Sequence, residues 1–214
     1  MNLNELCLVK DSLRDRNWEN NFLHQLSQCH LNLLSVDPQT GPDGWPYLFA
    51  EVSDASVEST QKILRWLSEK GIGLVINPNK PMPDYILTFG MIWSFRETGY
   101  FFKAVEKAES AFNLQGDFEQ QKVLDFGDAS ESYLPSYARK VINDFFRDQG
   151  LLQPKILLLS YDKKNYEIVF SLESLGNPPE KEHAGIAEAI SWFLPPHYEI
   201  VLASEKKLPS FFML

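Results

Sequence analysis

The sequence predicts an α+β protein of two small lobes, each an antiparallel or mixed sheet with helices packed on one face. Three observations carry this expectation. Apolar residues recur at helical spacing in several stretches, and short apolar or alternating runs have strand spacing. The order helix, strand, strand, helix, strand can also be read once in each half. A chain of 214 residues has room for one large domain or two small ones. The lobes are placed at residues 1–128 and 129–214.

In the first lobe, Trp18, Phe22, Leu26 and Cys29 form one helical stripe. A strand is expected from Leu31 to Val36, then a loop over Asp37–Pro46, dense in Pro, Gly and Asp. Tyr47–Val52 reads as a second strand. Asp54 and Ser56 are suited to cap a helix whose inner face is Thr60, Ile63, Leu64 and Leu67, with Gly71 ending it. Ile72–Ile76 is a short apolar strand stopped by Asn77-Pro78.

The second lobe opens on a helix near Pro135, with Ala138, Val141, Ile142 and Phe145 on its apolar face and Gly150 at its close. Lys155–Ser160 and Tyr166–Leu172 read as strands across a polar turn. After Pro178-Pro179 comes a helix with Ile186, Ile190 and Phe193, stopped by Pro195-Pro196, and then a final strand over Tyr198–Ala203. The region between is less regular. Asp84–Phe89 reads as a strand; Gly90–Gly99 reads as a continuing strand or a helix, and the alternation of Met91, Trp93 and Phe95 favours the strand. A helix over Glu106–Ala111, a strand over Val123–Phe126 and a linker over Gly127–Tyr133 complete the reading.

Charge and composition exclude some functions. With 44% hydrophobic and 13% aromatic residues the chain can bury a sizeable core. A net charge of −9, with basic residues clustered only as the pairs Lys163-Lys164 and Lys206-Lys207, argues against nucleic acid. The same charge disfavours anionic membranes, and no apolar run is long enough for a span. The N-terminal residues lack the pattern of a secretory signal, so Cys7 and Cys29 are expected as free thiols in the cytoplasm.

No catalytic signature emerges. His24, Cys29 and His30 are close in sequence but lack the paired spacing of a zinc site. Cys7 lies in an apolar stretch where burial would quiet its thiol. Gly71-Ile72-Gly73 lacks the third glycine and the following helix of a nucleotide fingerprint. Asp125 and Asp128 flank Gly127 without the alternating oxygens of a calcium loop. No metal, cofactor or catalytic residue is predicted.

What remains is aromatic. Trp45 sits in a Gly/Pro turn, Met91, Trp93 and Phe95 stand next to Arg96, and the chain finishes on Phe211-Phe212-Met213-Leu214. Exposed together, Trp45, Met91, Trp93, Phe95, Arg96, Phe211 and Phe212 would make an interaction patch, since Trp, Met and Arg favour interface cores. The same alternation equally describes side chains that close a lobe's own core, with the tail tucked against its lobe.

The helix after Leu134-Pro135, the module that follows and the tail Leu208-Pro209-Ser210-Phe211-Phe212 resemble the C-terminal domain of the SseB family, bacterial proteins associated with enhanced serine sensitivity. Ser210 separates the proline from the aromatic residue, where the family more often has them adjacent. The resemblance covers about the last 80 residues and implies a non-enzymatic cytoplasmic protein. The expected function is therefore a protein-binding or regulatory module that engages another protein or its own copy. The alternative is an unfamiliar enzyme with an acidic cleft between the lobes, using Asp84, Glu97 or Asp128. An accessory role as immunity factor or chaperone is compatible with the acidic surface.

Overall fold

The computed structural model describes residues 1–53, 57–102 and 125–214. The chain divides into two compact units, Met1–Phe101 and Phe102–Leu214. The α+β class is as expected: each unit pairs helices with its own mixed sheet.

In the first unit, α1 (Leu3–Cys7) opens on a capping box, Asn2 accepting from the Glu5 amide while Glu5 accepts from the Asn2 amide. A 3-10 turn over Asp11–Leu13 leads to α2 (Arg16–Gln28), capped by Asp15. Strands β1 (His30–Leu33), β2 (Gln39–Thr40), β3 (Pro46–Glu51) and β4 (Glu58–Ser59) precede α3 (Thr60–Leu67), β5 (Gly73–Ile76), β6 (Tyr85–Leu87) and α4 (Phe89–Thr98). The sheet order is β4-β1-β3-β5-β6, with β2 also on β3. Leu48, Ala50, Leu74 and Ile76, alternate residues of β3 and β5, meet Phe22, Leu26, Ile63, Leu64 and Leu67 in one core. The proposed caps Asp54 and Ser56 lie outside the described residues; Ser59 occupies the N-cap position of α3.

The second unit runs β7 (Asp125–Gly127), α5 (Ser136–Asp148), β8 (Lys155–Ser160), β9 (Glu167–Ser171), α6 (Glu180–Ser191), β10 (Glu199–Ala203) and β11 (Phe212–Met213). The boundary read at residue 128 falls later in the chain than the division at Phe101, and β7 pairs inside the second sheet. The helix expected over Glu106–Ala111 lies outside the described residues. Order in the sheet is β10-β9-β8-β11. β7 and β11 share one edge of β8, β7 against Leu158–Ser160 and β11 against Lys155–Ile156.

The repeated order of elements has a counterpart in the pairing. In the first unit β1 and β3 are antiparallel, and α3 carries the chain over to β5, parallel to β3. In the second, β8 and β9 are antiparallel, and α6 carries it over to β10, parallel to β9. A parallel neighbour needs such a crossover, because a tight turn can only return the chain antiparallel.

One element differs from the sequence reading. Gly90–Gly99 is helix α4, not strand. The alternation of Met91, Trp93 and Phe95 misleads because Gly90, Ile92 and Ser94 are buried as well, so no face of the first two turns meets water. The deciding signals are local. The Thr88 hydroxyl accepts from the Met91 amide at the start, and Gly99, at φ 78°, closes the end by donating to Phe95. Trp93 is among the largest fully enclosed side chains. Trp93→Ala is expected to cost about 3–5 kcal/mol, read as a lowered urea midpoint for the loss of the first unit's structure.

Candidate functional site

Among the described residues, polar side chains gather around a defined geometry in each unit. In the first, the Asp84 carboxylate is fully enclosed, on the turn between β5 and β6. Arg14 Nη2 reaches Oδ1 at 2.6 Å, while Lys80 Nζ, at 2.6 Å, and Asn77 Nδ2 reach Oδ2. Each donor is fixed in turn. Arg14 lies over the Trp18 ring, 4.6 Å from its centroid, and donates to the Val9 carbonyl. Lys80 donates to the Cys7 carbonyl at 2.9 Å. Asn77 holds a left-handed backbone, φ 54°, and its Oδ1 accepts from the Val52 amide.

Burial on its own would raise the Asp84 carboxyl. The hydrogen bonds from Lys80, Asn77 and Arg14, with the Lys80 charge, outweigh it and hold the group below its ordinary value. A carboxylate that takes Arg14, Lys80, Asn77 and the Cys7 thiol and is closed to water has no position for a substrate. It serves the fold by tying the N-terminal segment to the ends of β3 and β5.

Cys7 lies beside this cluster, its Sγ 3.6 Å from Asn77 Nδ2. Burial, then the Asp84 charge and a hydrogen bond to it, push the thiol up to about 12. Cys29 is raised too, mainly by burial, and donates to the Leu26 carbonyl. Neither thiol is an activated nucleophile at neutral pH. Among the described residues, no three His, Cys, Asp or Glu side chains converge to hold a metal.

In the second unit, an open groove of about 380 Å³ runs beside β7. Gly127 stands opposite Leu158 in the β7–β8 register, and a Cβ built on Gly127 meets nothing within 4 Å. Gly127 therefore faces open space on the rim of the groove. Tyr133 and Tyr166 contribute rings set edge to face, 6.1 Å apart. Both are anchored: Tyr133 stacks on Tyr198 at 4.4 Å and donates to the Tyr166 carbonyl, and Tyr166 donates to Asp125 Oδ2 at 2.7 Å. Asp125, Asp128, Ser130 and Ser132 supply polar atoms, and Phe126 is 53% exposed. Burial raises the Tyr133 hydroxyl and the Asp125 hydrogen bond raises that of Tyr166, so both stay neutral donors.

The chain matches no family model, no curated protein and no solved structure with significance. Among the described residues, no helix is long and apolar enough to cross a membrane.

The residues named from the sequence as a patch have differing surroundings within their units. Met91 and Trp93 are buried in α4 and present nothing to a partner. Phe95 is half-buried and stacks on Phe101 at 4.5 Å. Arg96 is held by Ser68 and Glu69. Trp45 is half-buried in the turn between β2 and β3. Phe211 packs against Leu157, Leu159 and Val169, and Phe212 is an exposed residue of edge strand β11. The tail is thus part of its own sheet, its end fixed by Leu214 donating to the Pro154 carbonyl and accepting from Asn143.

The groove residues Tyr133 and Tyr166 were missed by the sequence reading. The strand read over Val123–Phe126 overlaps β7 at Asp125 and Phe126, its first two residues lying outside the described ones, whereas Gly127 and Tyr133 were read as linker and Tyr166 only as the start of a strand.

Removing the Asp84 charge leaves Lys80 without its anion and Arg14 with the exposed Asp11 alone, at 3.1 Å. Asp84→Asn is expected to cost about 3 kcal/mol, the low end for a buried pair because Lys80 stays partly in water. The sign with pH follows from the depressed carboxyl: its contribution is complete above the unfolded value, near ~4, and is lost as pH falls toward the lower folded one. Urea midpoints at neutral and acid pH should therefore diverge less for Asp84→Asn than for the wild type. Iodoacetamide labelling of Cys7 at mildly alkaline pH should be slow in the native protein and fast in urea.

Proposed function

We propose that the protein is a non-enzymatic, cytoplasmic protein-binding or regulatory module of SseB-like type, which takes a partner through the groove beside β7. The single observation that supports this reading is the groove itself, open and lined by Gly127, Leu158, Phe126 and two anchored tyrosines, with polar atoms beside them. Concave surfaces of this kind, mostly apolar with a few fixed polar groups, are where ligands and partner side chains are bound. Fixed tyrosines add contact area at low conformational cost, because their rotamers are already set before binding.

The reading assigns no reaction to the site. Tyr133 and Tyr166 are donors with raised hydroxyls, and no activated nucleophile accompanies them among the described residues. It extends to a partner that is protein rather than nucleic acid, in keeping with the net charge of −9.

Gly127→Val adds an apolar side chain at the groove's lining without changing charge, and Gly127 lies outside the left-handed region, so the backbone tolerates a side chain. Native-cell pull-downs with the wild type and Gly127→Val should differ by the loss of specific partners. Equal recovery from both baits, with matching unfolding midpoints, would remove the groove from the account. Gly127→Ala should raise stability by about 0.4–1 kcal/mol, measured by urea unfolding.

A further inference from the structure

We infer that the groove beside Gly127 receives an arginine side chain of the partner protein. This rests on the protein-binding reading above and names the chemistry that surface selects.

The surfaces follow one another in an order that suits a long side chain with an apolar stem and a flat cationic head. The stem would lie over Leu158, in the space that a Cβ on Gly127 leaves unfilled to 4 Å. Tyr133 is already stacked on Tyr198, so the partly exposed Tyr166, set edge to face with it at 6.1 Å, is the ring against which a guanidinium plane would stack. The Asp125 carboxylate accepts the Tyr166 hydroxyl at 2.7 Å. A carboxylate has about four acceptor positions, so this bond fixes its orientation and leaves capacity for a guanidinium fork.

Asp128 adds negative potential, partly offset by Arg139 at 3.6 Å. Asp125 is accordingly the principal anion. Lysine fits less well, because its ammonium is a compact, strongly hydrated point charge that neither stacks nor pairs in a plane. A neutral side chain of equal length would keep the stem contact and lose the paired charge.

The test uses the full chain and fluorescent Gly/Ser peptides that carry spaced arginines, or citrulline or lysine at the same places. Anisotropy is read at physiological salt. The arginine peptide should bind about tenfold tighter than the citrulline peptide, as expected for one charge-assisted pair. Asp125→Asn should erase most of that difference. Gly127→Val, which keeps the charge of the chain, should abolish binding of all three.

Equal binding of arginine and citrulline peptides by the wild type would overturn the inference. So would undiminished arginine binding by a folded Gly127→Val, which would show general attraction to an acidic protein. If pull-down partners depend on Gly127 while arginine and citrulline peptides bind alike, the protein-binding reading stands and the arginine assignment falls.

Discussion

The first unit is organised by one buried charge. Asp84 draws Arg14, Lys80 and Asn77 to a single enclosed carboxylate, and through them it reaches the carbonyls of Cys7 and Val9 and the amide of Val52. It adds to the core contacts of Leu3, Leu6 and Cys7 in fixing a five-residue α1 and a 3-10 turn, since helices so short are not stable alone. The cation over Trp18, whose indole donates to the Leu6 carbonyl at 3.0 Å, carries the same tie into α2. An enclosed anion is costly to desolvate, so its worth lies in the specific arrangement that its donors impose.

The sheets show why chemistry has so little place in the interiors. β8 and β9 are buried throughout, except that Lys155 is partly exposed, and their alternate residues serve the two faces of the second sheet. Fully enclosed strands leave functional side chains to their ends and edges. There the second unit places β7, which shares the edge of β8 with the C-terminal strand. The glycine at the end of this short edge strand faces open space, and the turn over Ser130–Leu134 brings Tyr133 to the same groove.

Much of this fold was legible. Helical stripes such as Trp18, Phe22 and Leu26, and apolar runs such as Lys155–Ser160, report burial directly, and burial is what periodicity measures. The repeated order of elements held in both units, together with its pairing. Reading failed where burial is not one-sided. In α4 every residue from Phe89 to Ser94 is enclosed, so alternation carried no information, while the Thr88 cap and Gly99 did. The groove was illegible for a different reason. It depends on Gly127 standing across from Leu158 and on Tyr133 meeting Tyr166, contacts between residues some 30 positions apart that no local pattern encodes. Asp84, suspected of catalysis from its type alone, proves to be occupied by its own neighbours.

Two-dimensional amide NMR of the full chain during titration with the arginine peptide tests the central claim most directly. The account predicts saturable shifts concentrated at Gly127, Tyr133, Leu158 and Tyr166, while amides around Asp84 stay in place. Shifts spread along the acidic surface without saturation, or centred elsewhere in the chain, would contradict it.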